Sequence, residues 1–197
     1  MAIKPVRSRF WLAREMLTRP LVPKYATSEQ LKGASAVIAV PFNCYLEGQP
    51  PDYSNGHIAV VASKYMIGYS LPFVGQREQC YILERADLSV VRFRSKNGER
   101  VQSQRLVRFQ AETLQQAGMG SKVILVGMPE HLGRVAALCE YFGLQPVMPP
   151  ECQEVPYDPR PGRPGAQEWC TSRERFSRYE RTTGRPGTAL LALLGKV

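Results

Sequence analysis

The residues best suited to chemistry lie between positions 87 and 106. Arg94, Lys96 and Arg100 surround Asn97-Gly98, a turn dipeptide, and a helical pattern runs from Val101 to Ala117. A helix start leaves backbone N–H groups unpaired, and its dipole favours negative charge. A glycine just ahead of it lets the main chain approach a phosphate closely. The order strand, basic turn, helix predicts a cradle for a diphosphate. Other chemistries are poorly supplied. The five cysteines, Cys44, Cys80, Cys139, Cys152 and Cys170, include no C-x-x-C pair, and His57 and His131 are the only histidines, so no metal site is expected. Ser63 and Ser70 have no evident His or Asp partners, which argues against a serine hydrolase. The glycines at 162–165 and 184–187 lack the Lys-Ser/Thr pair of a phosphate loop.

Charge supports a polyanionic ligand. The net charge of the 197 residues is +9, and it is gathered in blocks. Residues 1–33 carry seven basic and two acidic groups, and residues 92–122 again carry seven and two. The stretch between them is net negative. Such a distribution suits nucleic acid or a phosphorylated cofactor. No apolar run approaches the ~18 residues of a membrane span. Met1 to Arg14 lacks the uninterrupted apolar core of a signal peptide. With its scattered single thiols, the chain reads as cytoplasmic, with no membrane partner.

The elements that must position the basic turn can be read from hydrophobic periodicity. Residues 8–18 have helical spacing, Ser28 precedes a second short helix, and Ala34 to Phe42 is rich in strand formers. His57 to Ser63 and Tyr65 to Leu71 read as a hairpin, and Cys80 to Phe93 as the longest strand. Lys122 to Met128 is a continuous apolar strand of the doubly buried kind. Glu130 to Phe142 is a helix opened by Pro129 and closed by Gly143, and Leu144 to Met148 a last strand. Six prolines fall within residues 149–165, the composition of an extended linker. The pattern predicts one α/β domain with a mixed sheet over residues 1–150, followed by a Pro-rich basic extension over 151–197.

With Ile67-Gly68-Tyr69-Ser70-Leu71, then Leu88-Ser89-Val90, the Gly98 turn and Val135 to Val147 in that order, residues 57 to 148 resemble the GNAT superfamily of acyl-coenzyme A-dependent N-acyltransferases. Ile67-Gly68-Tyr69-Ser70-Leu71 is similar to the family's central hairpin strand, and Leu88 to Val90 to the strand before its cofactor turn. Gly98 falls at the first glycine of the R/Q-x-x-G-x-G/A pyrophosphate motif, although Ser95 and Arg100 depart from it. Val135 to Val147 resembles the late signature A-x-x-L-Y-x-x-x-G-F, with Cys139 at its tyrosine and Tyr141 two residues on. The resemblance implies an acyl-CoA such as acetyl-CoA bound by Val90, Arg94, Lys96, Asn97, Gly98 and Arg100. It also implies transfer of the acyl group to an amine on a small molecule, protein or nucleic acid. In that mechanism a carboxylate accepts the amine proton and a tyrosine protonates the leaving thiolate. Glu84, on an otherwise apolar strand face, would be the base, with Asp87 a weaker choice. Tyr141 or Cys139 would stand at the thiolate.

Gly127 to Val147 also resembles the ParB/sulfiredoxin signature, a G-x-x-R turn that opens a helix and binds nucleotide phosphate. Arg134, Ala137, Gly143 and Pro146-Val147 are the matches. This second resemblance implies a DNA- or nucleotide-acting protein of a partition or conflict system. A third expectation is a binding module without catalysis. For it, the basic and aromatic residues from Arg173 to Arg181 would contact nucleic acid.

Overall fold

A computed structural model describes residues 3–42, 53–93, 102–157 and 172–197. The chain begins with helix α1 (Arg9–Thr18) and the single turn α2 (Ser28–Leu31). It then alternates: β1 (Ala36–Ala39), α3 (Tyr53–Tyr69), β2 (Phe73–Gln76), α4 (Arg77–Glu84), β3 (Val90–Phe93), α5 (Ser103–Gln116), β4 (Lys122–Val126), α6 (Pro129–Tyr141) and β5 (Gln145–Val147). A 3-10 turn at Pro150–Glu154 leads toward α7 (Arg173–Tyr179), a π turn at Glu180–Gly184, and α8 (Arg185–Leu193).

The strands form one five-stranded sheet in the order β3-β2-β1-β4-β5, and every pairing is parallel. The α/β class expected from the sequence holds, and the sheet is wholly parallel rather than mixed. Right-handed crossovers place α3 and α4 on one face and α5 and α6 on the other. Contacts of α3 with α4 and of α5 with α6 agree with that placement. β1 and β4 are buried at nearly every position, as strands covered on both faces must be.

The hairpin implied by the acyltransferase resemblance is absent. Residues 57–71 belong largely to α3, whose buried residues Ile58, Ala59, Ala62, Tyr65 and Met66 recur at helical spacing. Val60 and Ile67, β-branched residues that suggest a strand, point to solvent on the opposite side of this helix. Burial of one stripe outweighed their propensity. The long strand expected over 80–93 is likewise divided. Residues 77–84 form α4, a left-handed residue at Asp87 (φ 53°) turns the chain, and only Val90–Phe93 pair.

The C-terminal extension contributes to the core. Cys152, Val155, Phe176, Ala189 and Ala192 are buried, and α8 lies along α1. Arg185 Nη2 donates to the carbonyl of Glu15 at 3.3 Å, so the start of α8 meets the later part of α1. Arg19 joins this region to α6 through a two-pronged ion pair with Glu140 (2.9 and 2.7 Å), and it also bonds Glu15.

Candidate ligand site at the carboxyl edge

Strand order reverses between β1 and β4. In an open α/β sheet the crevice outside the carboxyl ends at such a reversal is where ligands bind. Four helices start at this edge and deliver polar side chains to it: Asn55 from α3, Gln79 from α4, Ser103 from α5, and Glu130, His131 and Arg134 from α6. Asn55, Gln79, Glu130 and His131 are buried.

The β1 side presents acceptors. Phe42 donates its N–H to Asn55 Oδ1 (3.0 Å), and Asn55 Nδ2 donates to the Phe42 carbonyl (2.6 Å). This two-point match with the backbone fixes the Asn55 amide. Gln79 Nε2 then donates to Asn55 Oδ1 (2.7 Å), which fixes the Gln79 amide in turn. Its Oε1 is buried and accepts no hydrogen bond. Gln110, from α5, donates Nε2 to the carbonyls of Ala39 and Val74, both at 2.9 Å, and so bridges β1 and β2 where they part. Gln110 Oε1 is also buried without a donor. A buried carbonyl left unpaired costs about 1–3 kcal/mol, and a ligand hydroxyl or amine would recover it.

The β4 side carries a charged network. His131 Nε2 lies 2.9 Å from Arg134 Nη2 and 3.2 Å from Ser103 Oγ. A guanidinium can only donate. Nε2 must therefore carry the lone pair, and the proton of the neutral ring sits on Nδ1. Burial, reinforced by the Arg134 charge, lowers the His131 pKa well below its usual range. The arrangement does not make His131 a base for Ser103, because the arginine already occupies the lone pair and opposes protonation. Arg134 forks onto Glu180 through Nε (3.0 Å) and Nη2 (2.8 Å). Glu180 is completely buried, and burial raises its pKa against the opposing pull of Arg134 and Arg185.

Aromatic side chains pack together beside these polar groups. Phe42 meets Phe176 edge-on at 4.8 Å and Tyr157 at 5.3 Å, and Phe176 meets the His131 ring at 5.8 Å. Glu130 ties this wall down. It accepts from the Tyr157 hydroxyl at 2.6 Å and pairs with Arg173 at 2.8 Å.

The residues expected from the sequence are dispersed. Arg94, Lys96, Asn97, Gly98 and Arg100 lie outside the described residues. They are bracketed by Phe93, which ends β3, and Ser103, which starts α5. Val90 opens β3 at the far edge of the sheet, half-buried. Glu84 is the last residue of helix α4 and pairs with Arg92 instead of lining an apolar strand face. Cys139 and Tyr141 are both buried within α6. At 1.5 Å per residue, Cys139 is about 15 Å along the helix from its start at the ligand edge. Burial pushes its thiol pKa up, so it is neither nucleophile nor acid at neutral pH. Arg134, from the second resemblance, does reach the edge, but Glu180 already holds its guanidinium.

Asn55, Gln79, Ser103, Gln110 and Glu180 were not evident from the sequence. Asn55-Gly56 reads as a turn, and Glu180 as a solvated member of a basic helix; only the three-dimensional arrangement shows otherwise. Among the described residues no group of three His, Cys, Asp or Glu side chains could hold a metal, and no helix is long and apolar enough to cross a membrane. The class defined by this geometry is a doubly wound α/β protein with a cluster of buried polar side chains at the carboxyl edge of its sheet. Comparison with protein-family models, curated proteins and solved structures finds no match.

Proposed function

We propose that this chain binds a nucleotide-type ligand at the carboxyl edge of its sheet. Such a ligand carries hydroxyl and amine donors at one end and phosphate oxygens at the other. The observation that supports the reading is the division of this edge. Unpaired amide oxygens of Gln79 and Gln110 stand on the β1–β2 side, and the His131 imidazole, with Nε2 taken by Arg134 and its proton on Nδ1, stands on the β4 side. The basic stretch between β3 and α5 adds charge suited to phosphate.

Coenzyme A belongs to this ligand class, so an acyl-CoA remains within the proposal. Acyl transfer through Glu84 draws no support from its place on α4 beside Arg92. A nucleotide-acting or purely binding protein fits the buried side chains better, since Arg134 occupies His131 Nε2 and ion pairs hold Glu130 and Glu180.

Thermal unfolding with ATP, acetyl-CoA and inorganic phosphate tests the reading. A ligand at 100 times its Kd adds about 2.7 kcal/mol of stability, which for a chain of this size is roughly 5–10 °C in Tm. ATP or acetyl-CoA is expected to give such a shift, and phosphate alone a smaller one. No shift with any of them would overturn the proposal.

A further inference from the structure

Glu180 stands apart from the other acids among the described residues. It is completely buried, and it starts the π turn between α7 and α8. Single π turns cost regularity and concentrate at functional positions. The turn is shaped around the carboxylate. A Cβ on Gly184 would come within 2.9 Å of a Glu180 carboxylate oxygen, so glycine leaves the room it needs. The carboxylate spends both oxygens on Arg134, and Arg134 spends a remaining N–H on His131 Nε2. A buried ion pair is a weak source of stability compared with apolar side chains of equal volume. What this one provides is orientation. A residue 46 positions along the chain fixes the arginine, and the arginine fixes the imidazole.

We propose that Glu180 is a positioning residue: acting through Arg134, it locks His131 with its proton on Nδ1 and presents that N–H to an anionic or carbonyl oxygen of the bound ligand. The ligand half rests on the nucleotide reading above; the lock itself is a property of the free protein. The groups around His131 are consistent with this role. Ser103 approaches from α5, Arg134 from its own helix, and Phe176 from α7 packs against the ring. His131 Nδ1 makes no hydrogen bond among the described residues. Without the arginine, the ring could place its proton on Nε2 and donate to Ser103 instead.

Nitrogen-detected NMR of the full chain, labelled at histidine, tests the lock. Two imidazoles are present, so a His57→Gln variant assigns them. The expected result is a His131 ring with protonated Nδ1 and bare Nε2, unchanged from pH 8 to pH 6. Glu180→Gln and Arg134→Met are expected to move it to a mixture of tautomers. A wild-type ring protonated on Nε2 would overturn the proposal without recourse to any variant. A ring unaltered in a folded Glu180→Gln protein would overturn the role of Glu180. ATP is the probe for the ligand half, and it should shift the Nδ1–H resonance in the wild type. No change in that resonance despite an ATP-dependent rise in Tm would overturn the ligand half alone. No ATP effect on either would instead count against the nucleotide reading.

Discussion

His131 is held neutral by two forces at once: the loss of water around its ring and the neighbouring Arg134 charge. The consequence for stability has a definite sign. Above the ordinary histidine pKa of about 6.5, folded and unfolded chains are both neutral at this ring. Below it, the unfolded chain takes up a proton that the folded chain refuses. Stability is therefore lost as pH falls from 6.5, at up to about 1.4 kcal/mol per pH unit, until the folded pKa is reached. Urea unfolding at pH 7.5 and pH 5.5 should show the loss, and a His131→Gln variant should show a smaller one. An equal loss in the variant would place the titration elsewhere. Glu151 acts in the same direction but lower on the pH scale. Against its partial burial, bonds from Lys64 and Tyr65 lower its carboxyl pKa, so its contribution is present at neutral pH and disappears only in acid. At this scale the sequence was partly legible. His131 and Arg134 attract attention as a histidine and an arginine one turn apart on a helix. Glu180 does not, because a carboxylate among arginines and aromatics looks solvated until its burial is seen. The orphaned oxygens of Gln79 and Gln110 are invisible in one dimension, since they depend on which backbone groups their amides meet.

Elements with one strong apolar stripe or a continuous apolar run were legible; those with apolar residues all round were not. α5, β4, α6 and β5 lie where the sequence places them, and Gly143, at φ +86°, closes α6 as expected. α3 was misread because it buries Ile58, Ala59, Ala62, Tyr65 and Met66 while exposing Val60 and Ile67, which blurs the helical period into alternation. α6 has a tighter constraint than its sequence suggests. Gly133 donates its N–H to the Leu21 carbonyl at 3.2 Å, and a Cβ there would run into the carbonyls of Pro20 and Leu21. Backbone cannot yield as a side-chain tip can. Gly133→Ala is expected to cost about 1–3 kcal/mol, occasionally more, read as a lower urea midpoint at unchanged slope. A variant as stable as the wild type would show that the Pro20–Leu21 segment is free to move off α6.

At the scale of the whole molecule, the C-terminal extension takes part in the core. Its prolines and arginines suggest a tail, yet Phe176 is buried against Phe42 and His131, and α8 covers α1. The extension thus packs against the same carboxyl edge at which the strand order reverses. Phe176→Ala should cost about 3–5 kcal/mol, the range for a fully buried phenylalanine, and should weaken any ligand seated beside His131. A loss below about 1 kcal/mol would mean that α7 is only loosely docked. A parallel sheet and the polar side chains of four helix starts meet at one edge of the protein. Hydrogen–deuterium exchange with and without ATP tests that convergence most directly. The account predicts slower exchange confined to the end of β1 and the first turns of α3, α4, α5 and α6; protection centred on the opposite edge of the sheet, or none with ATP bound, would contradict it.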